Sequence, residues 1–135
     1  MKLLIVDDNP INRKFLYYSL KRYYEIETAN NGLEAVQMLD EHFFNVVLMD
    51  LSMPIMDGAE ASRQIRKSEN KLNKHIPIIF VTTNDFEHEK VRCMENGGDD
   101  YLIKPIDIDE LLYKIDYHLK RKQIHHPLDT ISKIH

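Results

Sequence analysis

The chain has 135 residues, 43% hydrophobic and 30% charged, the size and balance of one globular domain with its own core. Eighteen basic against 22 acidic side chains give a net charge of −4, which argues against direct binding to a nucleic-acid backbone. The single cysteine, Cys93, excludes an internal disulfide and a cysteine-based zinc site. The apolar run behind Met1 is too short for a secretory leader, and no stretch reaches the roughly 20 apolar residues of a membrane helix. A cytoplasmic protein away from the membrane is expected.

Apolar runs alternate with amphipathic segments along the chain. Leu3 to Val6 predicts a buried strand. After Pro10, a helix is predicted over Ile11 to Tyr23. Ile26 to Ala29 predicts a weaker second strand. Asn31-Gly32 marks a turn, followed by a helix over Leu33 to Glu41. Val46 to Met49 predicts a third strand leading into Asp50. Pro54 and Gly58 punctuate the next loop, Asp57 is placed as a helix cap, and Ala59 to Lys67 reads as helix. Ser68 to His75 is a polar loop. Ile76 to Val81 predicts a fourth strand. Phe86 to Asn96 predicts a helix stopped by Gly97-Gly98, and Tyr101 to Ile103 a fifth strand. Asp107 with Glu110 opens a last helix. There Ile108, Leu111, Leu112, Ile115 and Leu119 give the clearest helical periodicity in the chain. The domain is placed at residues 1–121, and residues 122–135 form a polar, partly basic tail.

Five strand–helix units imply a parallel sheet covered on both faces. The common five-strand order is 2-1-3-4-5, with a crevice at the carboxyl ends of strands 1 and 3. Asp7 and Asp8 follow strand 1 and Asp50 follows strand 3, so three carboxylates converge at one mouth. Like charges this close raise one another's pKa. A hard divalent cation relieves them, and Mg²⁺ takes one or two carboxylates together with phosphate oxygens and water. Thr82 and Lys104 end strands 4 and 5 and bring a hydroxyl donor and a cation to the same edge. That set suits a phosphoryl group, which needs charge neutralisation and positioning. The residues read as an Mg²⁺-dependent phosphoryl acceptor. Asp7 and Asp8 hold the metal, Asp50 is the nucleophile, and Thr82 and Lys104 grip the phosphoryl oxygens.

Four stretches carry a resemblance: VDDN at 6–9, LMDLSMPIMDG at 48–58, PIIFVTT at 77–83 and DYLIKPI at 100–106. With them the chain resembles the receiver domain of two-component response regulators, from Lys2 to about Leu119. The resemblance implies a flavodoxin-like (βα)5 doubly wound sheet. It makes Asp50 the phosphorylated residue, Asp8 a direct metal ligand and Asp7 a ligand through water. It assigns the Ser52 backbone carbonyl to the metal shell and the Thr83 backbone amide to the phosphoryl group. Thr82 becomes a switch hydroxyl, Lys104 a phosphate-binding lysine and Tyr101 a switch aromatic that turns inward. The Lys104-Pro105 bond is implied to be cis, and Ser52 and Asn84 to tune phosphate lifetime. The metal is Mg²⁺, with Mn²⁺ as its substitute.

A narrower likeness lies in DDNPINRKF, NNGLEAV, MDGAEASRQIR and CMENGGDDYLIKPI, which are similar to receivers of hybrid histidine kinases and phosphorelays. It implies a sensor histidine kinase or a histidine phosphotransfer protein as donor. The implied output surface comprises the fourth helix, fifth strand and fifth helix, on a monomer or a phosphorylation-dependent dimer. Such a protein is a signalling receiver that loses its phosphate by autodephosphorylation, and no enzyme on an external substrate. The residues after Leu119 are too few for an output domain, so a single-domain regulator or a receiver cut from a longer chain is expected.

Two other functions are weighed. A phosphorylation-independent interaction module would keep the fold and leave the acidic site unused. A phosphatase with an aspartyl nucleophile would carry a second carboxylate where Asn9 stands. Several residues receive plain readings. Tyr17, Tyr18, Tyr23 and Tyr24 are assigned to core and rim packing, and Cys93 to half-buried packing. His42, His75 and His88 are read as solvated, and His125-His126 as incidental. Lys120, Arg121, Lys122 and Lys133, with Asp129, are read as a frayed helix end.

Overall fold

The computed structural model describes residues 1–83 and 86–124. The expectations for Asn84, for His125-His126 and for Asp129 and Lys133 lie outside them.

The apolar runs become five parallel strands: β1 (Lys2–Val6), β2 (Glu25–Ala29), β3 (Val46–Asp50), β4 (Ile78–Thr82) and β5 (Asp100–Ile103). Their order is β2-β1-β3-β4-β5, the expected doubly wound arrangement. Every residue of β3 and β4 is buried, as in a parallel sheet covered on both sides, which is why these runs carry no polar alternation. The edge strand β2 is buried only at Ala29, and its Glu25 and Glu27 explain its weaker signal.

Among the described residues five helices cover the sheet: α1 (Pro10–Leu20), α2 (Gly32–Glu41), α3 (Gly58–Lys67), α4 (Glu87–Glu95) and α5 (Ile108–Ile124). Successive strand residues face opposite sides. Val46 and Leu48 therefore join Leu16 and Leu20 of α1 and Leu111 and Ile115 of α5 in one apolar layer. Val47 and Met49 join Ala35, Leu39, Ala61, Ile65 and Cys93, from α2, α3 and α4, in the other. Each fully buried Leu or Ile contributes about 1.5–3 kcal/mol relative to exposure.

Polar caps begin α1, α2, α3 and α5 at the carboxyl edge of the sheet, whereas α4 starts after Phe86 with no side-chain cap. Asn9 accepts from the backbone N–H of Ile11 and Asn12, with Pro10 at the first helical position. Asn31, Asp57 and Asp107 accept from the N–H groups of Glu34, Glu60 and Glu110. The strands therefore end, and the helices begin, around one mouth. Among the described residues no helix is long and apolar enough to cross a membrane.

Several boundaries differ from expectation. α1 stops at Leu20, whose carbonyl accepts from Tyr23 and Tyr24 N–H in a turn. The packing reading of the tyrosines is corrected: Tyr17, Tyr18 and Tyr23 are exposed, and Tyr24 alone packs against the α1/α5 layer. The buried stripe of α1 is Leu16 and Leu20, one turn apart, which turns Tyr17 and Tyr18 outward. Lys21 lies 4.8 Å from the Tyr18 ring and Arg22 lies 5.5 Å from the Tyr23 ring. β4 begins at Ile78, two residues later than expected. Pro77 accepts from Val47 N–H but has no N–H to extend the ladder. Cys93 is fully buried rather than half-buried. α5 runs through Ile124, so the segment from 122 starts inside a helix.

Candidate functional site

Asp7 and Asp50 are buried at the ends of adjacent strands and Asp8 is exposed. One carboxylate oxygen of each lies within 4.8 Å of the others. The turn that carries the pair is held in two ways. Asp7 Oδ1 accepts from Asn9 N–H at 2.9 Å, and Arg13 Nη1 donates to the Asp7 carbonyl at 2.7 Å. Asp50 Oδ1 accepts one long bond, 3.4 Å, from Ser52 N–H.

Lys104 reaches in from the end of β5. Its Nζ is 3.6 Å from Asp50 Oδ2 and 3.8 Å from Asp7 Oδ2. Lys104 N–H donates to the Thr82 carbonyl at 2.8 Å, tying the end of β5 to that of β4. Thr82 is buried and follows Val81, which is in register with Asp50. Thr83 and Ser52 are exposed on the two flanking loops. The Lys104-Pro105 peptide bond is cis. Tyr101 stands three residues before Lys104, outside the carboxylate cluster, with Lys90 at 5.0 Å and Lys114 at 5.9 Å from its ring.

Burial raises the Asp50 pKa to about 6; Lys104 opposes the rise, while Asp7 and Asp8 add to it. The donor set is all oxygen and carries more negative than positive charge. It fits a hard divalent cation of the Mg²⁺ kind. Among the described residues it is the one acidic, histidine or cysteine cluster with that spacing.

The loop from Asp50 to α3 is tightly constrained. A Cβ at Gly58 would collide with the Asp50 carbonyl oxygen and crowd the Met49 side chain, and Gly58 N–H donates to Leu51 O at 2.9 Å. Only glycine permits this approach. Asp57 caps α3 and also pairs with Arg92 of α4. Between them, Met56 N–H bonds to Pro54 O at 2.8 Å across Ile55, whose φ is 72°. A β-branched residue in that conformation carries about 1–3 kcal/mol of strain.

A second polar cluster was not foreseen. Asp100, at the start of β5, lies 2.8 Å from Lys114 Nζ and 2.8 Å from Nε2 of the buried His118. Burial pushes its pKa up, but the bonds from Lys114 and His118 outweigh this and hold it below the ordinary value. An ionised carboxylate only accepts, so His118 Nε2 carries the hydrogen. The available signal was the four-residue spacing of Lys114 and His118 beside the apolar stripe of α5. A groove of about 460 Å³, lined by Asn12, Phe15, Leu16, Lys104, Pro105 and Ile106, runs from Asp7 between α1 and the loop after β5.

Residues 3–116 match the family model of the response regulator receiver domain. The chain is 38% identical to the sensor histidine kinase RcsC of Escherichia coli (strain K12) over 122 residues, 90% of this chain and 12% of that protein. It is also 38% identical to the response regulator MprA of Mycobacterium leprae (strain TN), covering 90% of this chain and 52% of that protein. The chain thus spans about an eighth of the length of the first of these curated relatives and half of the second. Among solved structures, it is similar to the receiver domain of a sensor histidine kinase from Pseudomonas aeruginosa PAO1 with a magnesium ion in its active-site cleft. The TM-score is 0.80 at 31% identity, covering 88% of this chain and 97% of that one. A receiver domain protein from Methanospirillum hungatei JF-1 matches with a TM-score of 0.83 at 28% identity, covering 93% and 98%. The chain belongs to the response regulator receiver domain family, a module of two-component signalling.

Proposed function

We propose that this receiver accepts a phosphoryl group from a phosphohistidine onto Asp50 and relays the change to a partner surface. The observation that carries the reading is the placement of Asp50. It is buried at a strand end, 3.6 Å from Lys104 and grouped with two further carboxylates. Among the described residues one long hydrogen bond, from Ser52 N–H, and a loose ion pair with Lys104 engage its oxygens, which leaves a lone pair for attack.

Asp8 would hold Mg²⁺ directly, Asp7 through water, and Asp50 and the Ser52 carbonyl would complete the protein share of the shell, with Mn²⁺ as substitute. The bound metal would neutralise charge on the phosphoryl oxygens and the attacking carboxylate. Asp50 attacks phosphorus opposite the donor nitrogen. As the new P–O bond forms the P–N bond breaks, its electron pair returns to the imidazole, and the imidazole takes a proton from water. Lys104, Thr82 Oγ1 and the Thr83 N–H stabilise the phosphoryl oxygens. Water later releases inorganic phosphate and restores the Asp50 carboxylate, with Ser52 and Asn84 setting how readily it enters. The chemistry is self-directed and serves signalling.

Movement of Thr82 toward the phosphate gives Tyr101 room to turn inward, away from Lys90 and Lys114. The face of α4, β5 and α5 then changes, including the groove lined by Lys90, Val91, Met94 and Tyr101. That face would meet a downstream protein or a second copy. The donor would be a sensor histidine kinase or a histidine phosphotransfer protein. The exposed Ile11 and Phe15 of α1, beside the groove along Pro105 and Ile106, give it an apolar landing next to Asp50.

Intact-mass spectrometry after incubation with acetyl phosphate and Mg²⁺ tests the reading. One added phosphoryl group is expected, absent from Asp50→Asn and from the metal-free sample. No adduct, together with no binding of beryllofluoride and Mg²⁺, would leave a phosphorylation-independent module.

A further inference from the structure

Ile55 is the one non-glycine among the described residues with a positive φ, and it is also 78% exposed. It sits at the centre of the three-residue turn closed by Met56 N–H and Pro54 O. Glycine would enter this turn without steric cost, and asparagine with little. Isoleucine, branched at Cβ, is among the residues least suited to it. Ile55 lies outside both apolar layers, so no core packing among the described residues offsets that strain. The side chain is therefore kept at a strained position while largely exposed to solvent.

Its place in the fold indicates what it meets. The loop runs from Asp50 to the cap of α3 and forms one rim of the acidic mouth. The other rims also expose apolar side chains: Ile11 and Phe15 on α1, and Phe86 just before α4. A protein that brings an imidazole against Asp50 must cover this loop. We infer that Ile55 is a specificity-determining contact for the protein phosphodonor, held by the strained turn so that its apolar side chain enters the donor surface around the histidine. The inference rests on the phosphoacceptor reading above and adds a residue to it. Small donors present no such surface, so they are indifferent to Ile55.

The test compares Ile55→Gly, Ile55→Asn and Ile55→Val in the full chain with two kinds of donor. One is acetyl phosphate with Mg²⁺. The other is the fastest among the radiolabelled histidine kinases and histidine phosphotransfer proteins of the source organism. Ile55→Gly and Ile55→Asn are expected to slow transfer from the protein donor about tenfold or more, the size of a buried apolar anchor at an interface. Ile55→Val should restore it to within about twofold. Acetyl phosphate should label all variants at the parent rate, and the urea midpoints of the glycine and asparagine variants should equal or exceed the parent's. Unchanged transfer from the protein donor overturns the inference. So does a parallel loss with acetyl phosphate, which would place Ile55 in the site itself, or the absence of any protein donor faster than acetyl phosphate. Failure of the parent chain to be labelled by either donor marks the failure of the phosphoacceptor reading instead.

Discussion

Asp50 and Asp100 are the same side chain put to opposite uses. Asp50 ends β3 and Asp100 begins β5, and both are largely withdrawn from water. Asp100 has its two oxygens engaged at 2.8 Å by Lys114 and His118, and its pKa falls. Asp50 has its nearest cation at 3.6 Å and two carboxylates for neighbours, and its pKa rises to about 6. A carboxylate with direct partners is a brace. One buried among loose partners and like charges is costly to keep, and its oxygens stay open to chemistry.

The comparison can be broken at three points. The largest effect is expected from Lys104→Met, which removes the one cation within 4 Å of Asp50 among the described residues. Labelling by acetyl phosphate should slow by about a hundredfold or more, measured by intact mass over time. A rate within threefold of the parent would remove Lys104 from the chemistry.

Next comes Asp50→Asn in metal-free buffer. The folded pKa of Asp50, about 6, exceeds its ordinary 3.8, so the native state binds the proton more tightly. The charged form therefore opposes folding above pH 6, and the penalty is relieved as pH falls through that value toward 3.8. Asp50→Asn should raise unfolding free energy by up to about 3 kcal/mol at pH 8, with the gain fading by pH 4. Urea denaturation across that range reads it, and a gain independent of pH would contradict the assignment.

The smallest effect is expected from Asp100→Asn, with the opposite pH dependence. A depressed pKa contributes stability above the unfolded value and loses it as pH falls through the folded one. At pH 7 the variant should lose about 1–3 kcal/mol, because the buried His118 and the part-exposed Lys114 lose their ionised partner. Labelling of Asp50 should be unchanged. A stability equal to the parent's would show the brace to be idle.

The sheet and the acidic mouth were legible in the sequence because both rest on short-range signals. Val46 to Met49 and Ile78 to Val81 are continuous apolar runs, and Asp50, Thr82 and Lys104 stand where those runs and their neighbour stop. Features built across the fold were not. Asp57 was read as a cap, which it is, but its pairing with Arg92 depends on how α4 packs, 35 residues away. Asp100 and His118 are 18 residues apart and meet only once α5 lies against β5. The tyrosines near the end of α1 were assigned to core and rim packing, yet the spacing of Leu16 and Leu20 fixes which face is inward and leaves Tyr17 and Tyr18 exposed. The strain at Ile55 has no counterpart in composition, since propensity alone argues against isoleucine there.

The single thiol makes α4 its own clock. Cys93 is sealed beneath that helix, and burial raises its pKa to about 11, so an alkylating reagent meets it only when α4 lifts from the sheet. The labelling rate of the native chain is then the opening equilibrium of α4 multiplied by the rate for a free thiol. Any event at the acidic mouth that loosens or tightens this helix would change that rate. Signalling motion would thereby be read out by a mass spectrometer without a partner or an attached probe.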